Sequence, residues 1–401
     1  MKWDTELEKI GAKTKYPIGD GDHGSIKPQV YQDNGIPYIR VADISREGYI
    51  DKSKMVYIPE EVNEANPKSF LYPGDIVISK TGATIGKVAI IPDDIKLANT
   101  TASIGKVSLD FDLANARFVL WCMKSQHFQS QMWRVSHKSA QPGFNVKDLK
   151  KFKIPLPPLD QQKKIAAILD AADAYRQKTK ALIKKYDELT QSLFLDMFGD
   201  PVTNPKGYKI VTLGEVTSKI TDGVHFKPDY KESGVEFISV KDITTGVLKF
   251  DNCKFISKED HDKYYKRCNP EYLDILYTKV GATYGRPAIV NVKREFSLYV
   301  SAALIKPIKE IINPYYLKDA MANPAIKRQA DRSIKGIGVP DLHLNMIRKF
   351  LIPLPSMQEQ NQFAERVKVI EAQKGQAQDS LAQAENLFNS LLQRAFKGEL
   401  V

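Results

Sequence analysis

The chain carries one sequence plan twice, and that duplication confines it to a fold with an internal repeat. Gly35-Ile-Pro-Tyr-Ile-Arg-Val-Ala-Asp-Ile44 returns as Gly234-Val-Glu-Phe-Ile-Ser-Val-Lys-Asp-Ile243, displaced by 199 residues. Lys80-Thr-Gly-Ala-Thr-Ile-Gly-Lys-Val-Ala-Ile90 returns at the same displacement as Lys279-Val-Gly-Ala-Thr-Tyr-Gly-Arg-Pro-Ala-Ile289. Ile154-Pro-Leu-Pro157 returns as Ile352-Pro-Leu-Pro355, and Ser192, Leu193 and Phe198 as Ser390, Leu391 and Phe396, displaced by 198. Blocks kept in one order at nearly one displacement mark a real duplication.

Each copy has the same parts. Short apolar, β-branched runs bounded by Gly, Pro and Asp predict strands at Tyr38–Val41 and Ile76–Ser79, and at Phe237–Val240 and Ile275–Tyr277. Ile-Pro-Leu-Pro closes each such region, because proline continues neither a ladder nor a helix interior. A long helical stretch follows. The expected fold is α+β: two mixed globular domains alternating with two long helices that pair as an antiparallel coiled coil about a pseudo-two-fold. The expected boundaries are 1–157, 158–199, 200–355 and 356–401.

The helices carry a narrow apolar seam with alternating steps of three and four. In the first it runs Ile165, Ile168, Ala172, Tyr175, Thr179, Leu182, Tyr186, Leu189, Leu193. In the second it runs Phe363, Val367, Ile370, Lys374, Ala377, Leu381, Ala384, Phe388, Leu391, Ala395. Such a seam favours a long helix partner over burial in an ordinary α+β core. Ser356 and Glu359 form a capping box, and Gly199 and Gly398 sit where a helix stops. A helix from Asp160 to Met197 would be about 57 Å long. Antiparallel pairing of the arms would set the globular parts at opposite ends, and Ala377 and Ala384 would allow close approach. Lys374 stands on the seam as a defect that the pattern does not explain.

At 401 residues the chain exceeds one ordinary domain, and 42% hydrophobic with 27% charged residues suits a soluble protein with a real core. No apolar run of about 18 residues is present to span a membrane, and the start does not read as a secretory signal. Cys122, Cys253 and Cys268 are too far apart for a disulfide framework or zinc site, which suits a reducing cytoplasm. A net charge of +11 favours a polyanion but does not by itself establish nucleic acid as a partner.

Three motifs invite catalytic readings and fail them. Gly82-Ala-Thr-Ile-Gly86-Lys87 has three residues between its glycines where a phosphate loop needs four, and Val88 where Ser or Thr should stand. It reads as strand–turn–strand. Asn313-Pro-Tyr-Tyr316 lacks the second proline of an amino-methyltransferase pocket, and no glycine-rich cofactor loop precedes it. It reads as the start of a helix. His23 and His225, beside Asp-Gly turns, read as turn or hydrogen-bonding residues, and the six histidines lack metal spacing. No catalytic constellation, metal or cofactor is expected.

The doubled plan resembles the specificity (S) subunit of Type I restriction–modification systems. The residues that carry the resemblance are Gly74–Lys87, Ile154-Pro-Leu-Pro-Pro-Leu-Asp-Gln-Gln162, and the turns Asp20-Gly-Asp-His23 and Asp222-Gly-Val-His225. The resemblance covers essentially the whole chain. It implies that each globular part is a target recognition domain for one half of an interrupted double-stranded DNA site. It implies that the helices are a ruler for the gap and dock two methyltransferase subunits, with restriction subunits joining the complex. Methyl transfer from S-adenosylmethionine and ATP-driven cleavage would belong to those partners. The two recognition domains diverge outside the shared blocks, so the target is expected to be asymmetric. The second helix is rich in Gln and Ala where the first carries Lys and Tyr, so the two docking faces are expected to differ in affinity.

Base readout needs Arg or Lys for guanine and Asn or Gln for adenine. Loop residues before the arms suit that role: Lys138, Gln141 and Asn145 in the first copy, Arg328, Arg332 and Lys335 in the second. Arg40 and Ser239 hold equivalent strand positions with different chemistry. Lys80, Thr81 and Lys87, with Lys279, Thr283 and Arg286, are candidates to meet phosphate on the glycine turns, where contacts position but do not read sequence. His23, His225 and Lys227 complete the candidate set. Two other functions compete: a single-chain methyltransferase or nuclease with fused recognition domains, and a coiled-coil interaction protein without a DNA role.

Overall fold

In a computed structural model, which describes residues 1–136, 142–334 and 340–400, the duplicated blocks become duplicated sheets. The first copy supplies β1 (Ile18–Asp20), β2 (Ile36–Ile39), β3 (Val56–Ile58), β4 (Ile76–Ser79), β5 (Val88–Ile90), β6 (Asn99–Thr100) and β7 (Ile104–Val107). These form a four-stranded antiparallel sheet, β1-β7-β4-β5, and a three-stranded sheet, β3-β2-β6, in which β2 and β6 run parallel. The second copy supplies β8 (Thr217–Asp222), β9 (Val235–Ile238), β10 (Lys254–Ile256), β11 (Ile275–Thr278), β12 (Pro287–Ile289), β13 (Ser297–Leu298) and β14 (Ala302–Pro307). Its sheets, β8-β14-β11-β12 and β10-β9-β13, repeat the first pair strand for strand.

Burial on both faces explains why the central strands are continuous β-branched and aromatic runs. Ile76 and Ile78 of β4 face one core while Val77 faces another. Ile275 and Tyr277 of β11 alternate in the same way with Leu276. Each fully buried aliphatic side chain of this kind contributes about 1.5–3 kcal/mol.

The helices of six or more residues are α1 (Ala116–Lys124), α2 (Gln126–Ser136), α3 (Val146–Lys151), α4 (Leu159–Phe198), α5 (Lys258–Tyr265), α6 (Pro314–Ala322), α7 (Pro324–Ser333) and α8 (Met357–Lys397). The chain divides into two compact units, residues 1–180 with 379–401 and residues 181–378, so each unit owns one globular part and half of each arm helix. In each unit a short antiparallel ribbon ties the start of the globular part to its end: Thr5–Glu6 to Lys153–Ile154, and Lys209–Thr212 to Leu351–Leu354. No helix among the described residues is long and apolar enough to cross a membrane.

Within each unit the arm halves run antiparallel. In the first, Arg176 lies over the Phe388 ring at 4.0 Å and Lys180 meets Glu385 at 3.3 Å. In the second, Asp187 pairs with Lys374, and Phe198 packs against Phe363 at 5.3 Å. The unexplained seam lysine is therefore neutralised by an acid from the opposing helix. The ends are as expected: Ser356 and Glu359 make reciprocal cap bonds, and Gly199 and Gly398 adopt φ of +77° and +86°.

The seam of α8 is buried or half-buried at every expected position. That of α4 is displaced by one residue at alternate positions. Ile168, Tyr175, Leu182 and Leu189 are exposed (37–54%), whereas Leu169 and Thr179 are buried and Arg176, Ile183 and Thr190 half-buried. One residue turns a helix by about 100°, so the choice between 168 and 169 decides which face looks inward. Residues 169, 176, 183 and 190 lie 198 before the α8 seam positions 367, 374, 381 and 388, so the duplication itself selects the correct set.

A buried amide joins arm to globule in each unit. The Gln162 carbonyl accepts from the Asn115 backbone N–H at 2.9 Å, while its amide donates to the carbonyls of Leu113 and Pro157. Gln360 does the same with Asn313, Ile311 and Pro355. All three tryptophans (Trp3, Trp121, Trp133) lie in the first unit, so intrinsic fluorescence reports on that unit. Gln162→Leu should lower its stability by about 2–4 kcal/mol, because three backbone groups lose their partner. The exposed Lys164→Ala should shift it by less than about 0.5 kcal/mol. Equal urea midpoints for the two variants would contradict the clasp.

Candidate nucleic-acid interface

In the first unit the sheet end that closes β1, β4 and β7 gathers three segments. Thr81 bridges Gly143, the Gly82 N–H donates to the Pro142 carbonyl at 3.1 Å, and the Phe144 N–H donates to the Lys80 carbonyl at 3.2 Å. The glycine turn and the segment leading into α3 are thus held together by backbone pairing. The Lys80 ammonium reaches Asp20 at 2.5 Å, and His23 bonds the other oxygen of Asp20 at 3.1 Å. Gly21 is required here, since a Cβ would stand 2.1 Å from the Thr100 carbonyl oxygen.

The second unit repeats this arrangement. Val280 bridges Asp341, the Gly281 N–H donates to the Pro340 carbonyl, and the Leu342 N–H donates to the Lys279 carbonyl. Lys279 lies 3.6 Å from Asp222 and 3.3 Å from Asp341, and His225 bonds Asp222 at 3.0 Å. Gly223 has the same requirement as Gly21, with a Cβ 1.9 Å from the Leu298 carbonyl oxygen.

The candidate residues separate into three groups. Lys80 and Lys279 are buried (5% and 4% exposed) and neutralise aspartates, so their ammonium groups face inward rather than on the surface the sequence suggested. Lys87 and Arg286 donate to the carbonyls of Ile44 and Thr244, fastening the glycine turn to the neighbouring loop. Arg40 caps a turn through Asp43 and the Lys54 carbonyl, and Ser239 caps its image through Asp242, so their chemical difference lies in the cap.

His23, His225, Lys227 and Asn145 are exposed, with the Asn145 side-chain oxygen accepting from the Asp148 backbone N–H as the cap of α3. Thr81 and Thr283 are half-buried in the glycine turns, the Thr283 backbone carbonyl accepting from the Thr278 hydroxyl. Arg328 and Arg332 are exposed one turn apart on α7. Arg134, displaced by 198 from Arg332, is exposed in the last turn of α2; overlaying the two copies would have found it. Lys138, Gln141 and Lys335 lie outside the described residues.

The three motifs that invited catalytic readings are structural. Residues 82–84 form a single helical turn between β4 and β5. Asn313 caps α6, and Tyr316 is buried with its hydroxyl donating to the Pro353 carbonyl at 2.6 Å. The histidines of the Asp-Gly turns are hydrogen-bonded to their own turn aspartates. Among the described residues no cluster of three His, Cys, Asp or Glu is placed to hold a metal ion.

The family model described as Type I restriction modification DNA specificity domain matches residues 24–190 and again 205–384. The Type I restriction enzyme EcoBI specificity subunit of Escherichia coli is 30% identical over 62% of the chain, and the chain spans 58% of that relative's length. The EcoKI specificity subunit of Escherichia coli strain K12 is 21% identical, with 92% of this chain and 83% of the relative covered. The crystal structure of a Type I restriction–modification S subunit from M. genitalium shares the fold, with a TM-score of 0.59 at 16% identity and 99% and 96% of the two chains covered. With both repeats matched and the sheets, turns and arms duplicated around them, the chain belongs to the Type I restriction–modification specificity family.

Proposed function

We propose that this chain is the DNA-reading, non-catalytic subunit of a Type I restriction–modification complex in the cytoplasm. Residues 1–157 and 200–355 each read one half of a bipartite, asymmetric site in double-stranded DNA. Residues 158–199 and 356–401 set the gap and dock two methyltransferase subunits, which restriction subunits join. Methyl transfer and ATP-dependent cleavage reside in those partners. The observation that carries this reading is the repeated sheet end, where the Asp-Gly-x-His turn, the glycine turn and the segment before the arm converge in both units.

The roles follow from placement. Exposed His23, His225, Asn145 and Lys227, with Arg328 and Arg332, are the candidates that reach DNA, joined by Lys138, Gln141 and Lys335. Lys87 and Arg286 contact phosphate from the edge of the turn, with Thr81 and Thr283 beside them. Lys80 and Lys279 act one step back, holding the turns rigid, and Arg40 does so for its strand end. Docking is supported by exposed apolar residues at heptad spacing on α4, Ile168 and Tyr175 in the first unit and Leu182 and Leu189 in the second. Exposed apolar side chains at that spacing suit a further helix from a partner.

Replacing residues 1–157 with an unrelated recognition domain, in cells carrying the methyltransferase partner, tests the reading. One half of the methylated motif should change while the other half and the gap stay fixed. An unchanged motif favours a coiled-coil protein without a DNA role, and methyl transfer or cutting by the purified chain alone favours an enzyme. Deleting one heptad between Ile165 and Leu193 should change the gap or abolish binding, and altered half-site bases at an unchanged gap would contradict the ruler.

Lys87→Ala should weaken all sequences alike and reduce the salt slope by about one. Lys80→Ala should instead destabilise the first unit, by about 1–3 kcal/mol, because it strands a partly buried Asp20. A base-selective loss in Lys87→Ala, or unchanged stability in Lys80→Ala, would reverse these assignments.

A further inference from the structure

The two Asp-Gly-x-His turns share a skeleton and diverge at the next residue. In the first unit His23 is followed by Gly24, at φ +102°, and Asp22 accepts from the backbone N–H groups of Gly24, Ser25 and Ile26. In the second unit Val224 replaces Asp22 and Phe226 takes the place of Gly24. The Phe226 ring is 54% exposed and meets Tyr264 of α5 edge-on at 5.7 Å. Arg267, just beyond α5, donates to Asp222 Oδ1 at 2.5 Å, the Asp222 carbonyl at 2.8 Å and the Gly223 carbonyl at 3.0 Å, yet its side chain stays 57% exposed.

Between turn and helix lies an open cleft of about 340 Å³, lined by His225, Phe226, Lys263, Tyr264 and Arg267. Among the described residues no carboxylate lines it.

A single exposed phenylalanine is ordinary. Its surroundings are not: the ring projects from a turn closed by a glycine that tolerates no Cβ, and cations stand on both sides. Lys227 follows it in sequence, and Lys263 and Arg267 line the cleft on its other side. An aromatic ring between cations complements a base step between its phosphates. Apolar side chains in such positions enter base steps and unstack them, and aromatic–base stacking adds affinity with little base preference.

We propose that Phe226 is a stacking wedge that enters a base step in or beside the second half-site, with Lys263 and Arg267 on the flanking phosphates. The first recognition domain, with Gly24 there, has no counterpart. The inference rests on the DNA-reading role proposed above.

The test uses the full chain assembled with its methyltransferase partner, on duplexes carrying its mapped bipartite site with 2-aminopurine placed in turn across each half. The native complex should raise fluorescence at one step of the second half and none of the first. Phe226→Ala should abolish that rise and weaken binding about ten- to hundredfold, and Phe226→Trp should restore both. Because the ring is exposed, the thermal midpoint should not move. Binding within about twofold of native with the fluorescence rise intact overturns the wedge. So does lost affinity with fluorescence unchanged, which would leave only a groove-side contact. A native complex that binds no bipartite DNA removes both this inference and the reading it rests on.

Discussion

Two buried glutamines, Gln162 and Gln360, fix how each arm leaves its globular part. The start of an arm meets the turn before α1 or α6 where backbone groups of both signs need partners. A primary amide suits this, since one side chain both accepts and donates. Each glutamine accepts from one N–H and donates to two carbonyls, in an interior where an unmade hydrogen bond is costly. The paired ribbon at the base of each globular part and the packed arm halves then leave the opposite sheet end free to carry the converging turns.

Much of this was legible in the sequence because duplication gives two readings of each element. The strands at Ile76 and Ile275, the strand–turn–strand at Gly82, the helix beginning at Asn313 and the caps of the arms follow from local chemistry, whereas the strands expected at Tyr38–Val41 and Phe237–Val240 lie two residues earlier and give way to turns capped through Asp43 and Asp242. The α4 seam did not. Ile168, Tyr175, Leu182 and Leu189 make the more apolar stripe, whereas the inward set Leu169, Arg176, Ile183 and Thr190 includes two polar residues that only the copy related by 198 residues picks out. Lys374 looked like a defect because its partner, Asp187, lies on the other helix. Lys80 and Lys279 looked like surface cations for a related reason: their aspartates are some 60 residues away in sequence. A polarity pattern marks a lysine as exposed until a distant acid allows it to be buried.

The copies are not equal where arm meets globule. In the first unit Trp121 is buried against Phe388 at 5.3 Å, its indole N–H donating to Asp170 at 2.6 Å. At the images of those positions the second unit has Asp319 and Thr190, and a cleft of about 610 Å³ opens there. Lys318 bridges Asp319 and Glu371, and burial drives the Asp319 carboxyl above its ordinary range despite that lysine. The two junctions therefore differ physically, with an aromatic plug in the first unit and a polar cleft in the second. The Asp-Gly-x-His turns are similarly unequal, with a glycine loop in one and an aromatic in the other.

The central proposal is that one chain carries two readers whose half-sites stand a constant gap apart in the DNA. Genome-wide mapping of methylated adenines, in cells carrying this chain with its methyltransferase partner and in cells lacking the chain, tests it most directly. The account predicts a single two-part motif with unlike halves and one constant gap, absent when the chain is absent. A continuous or palindromic motif, a variable gap, or methylation indifferent to the chain would contradict it.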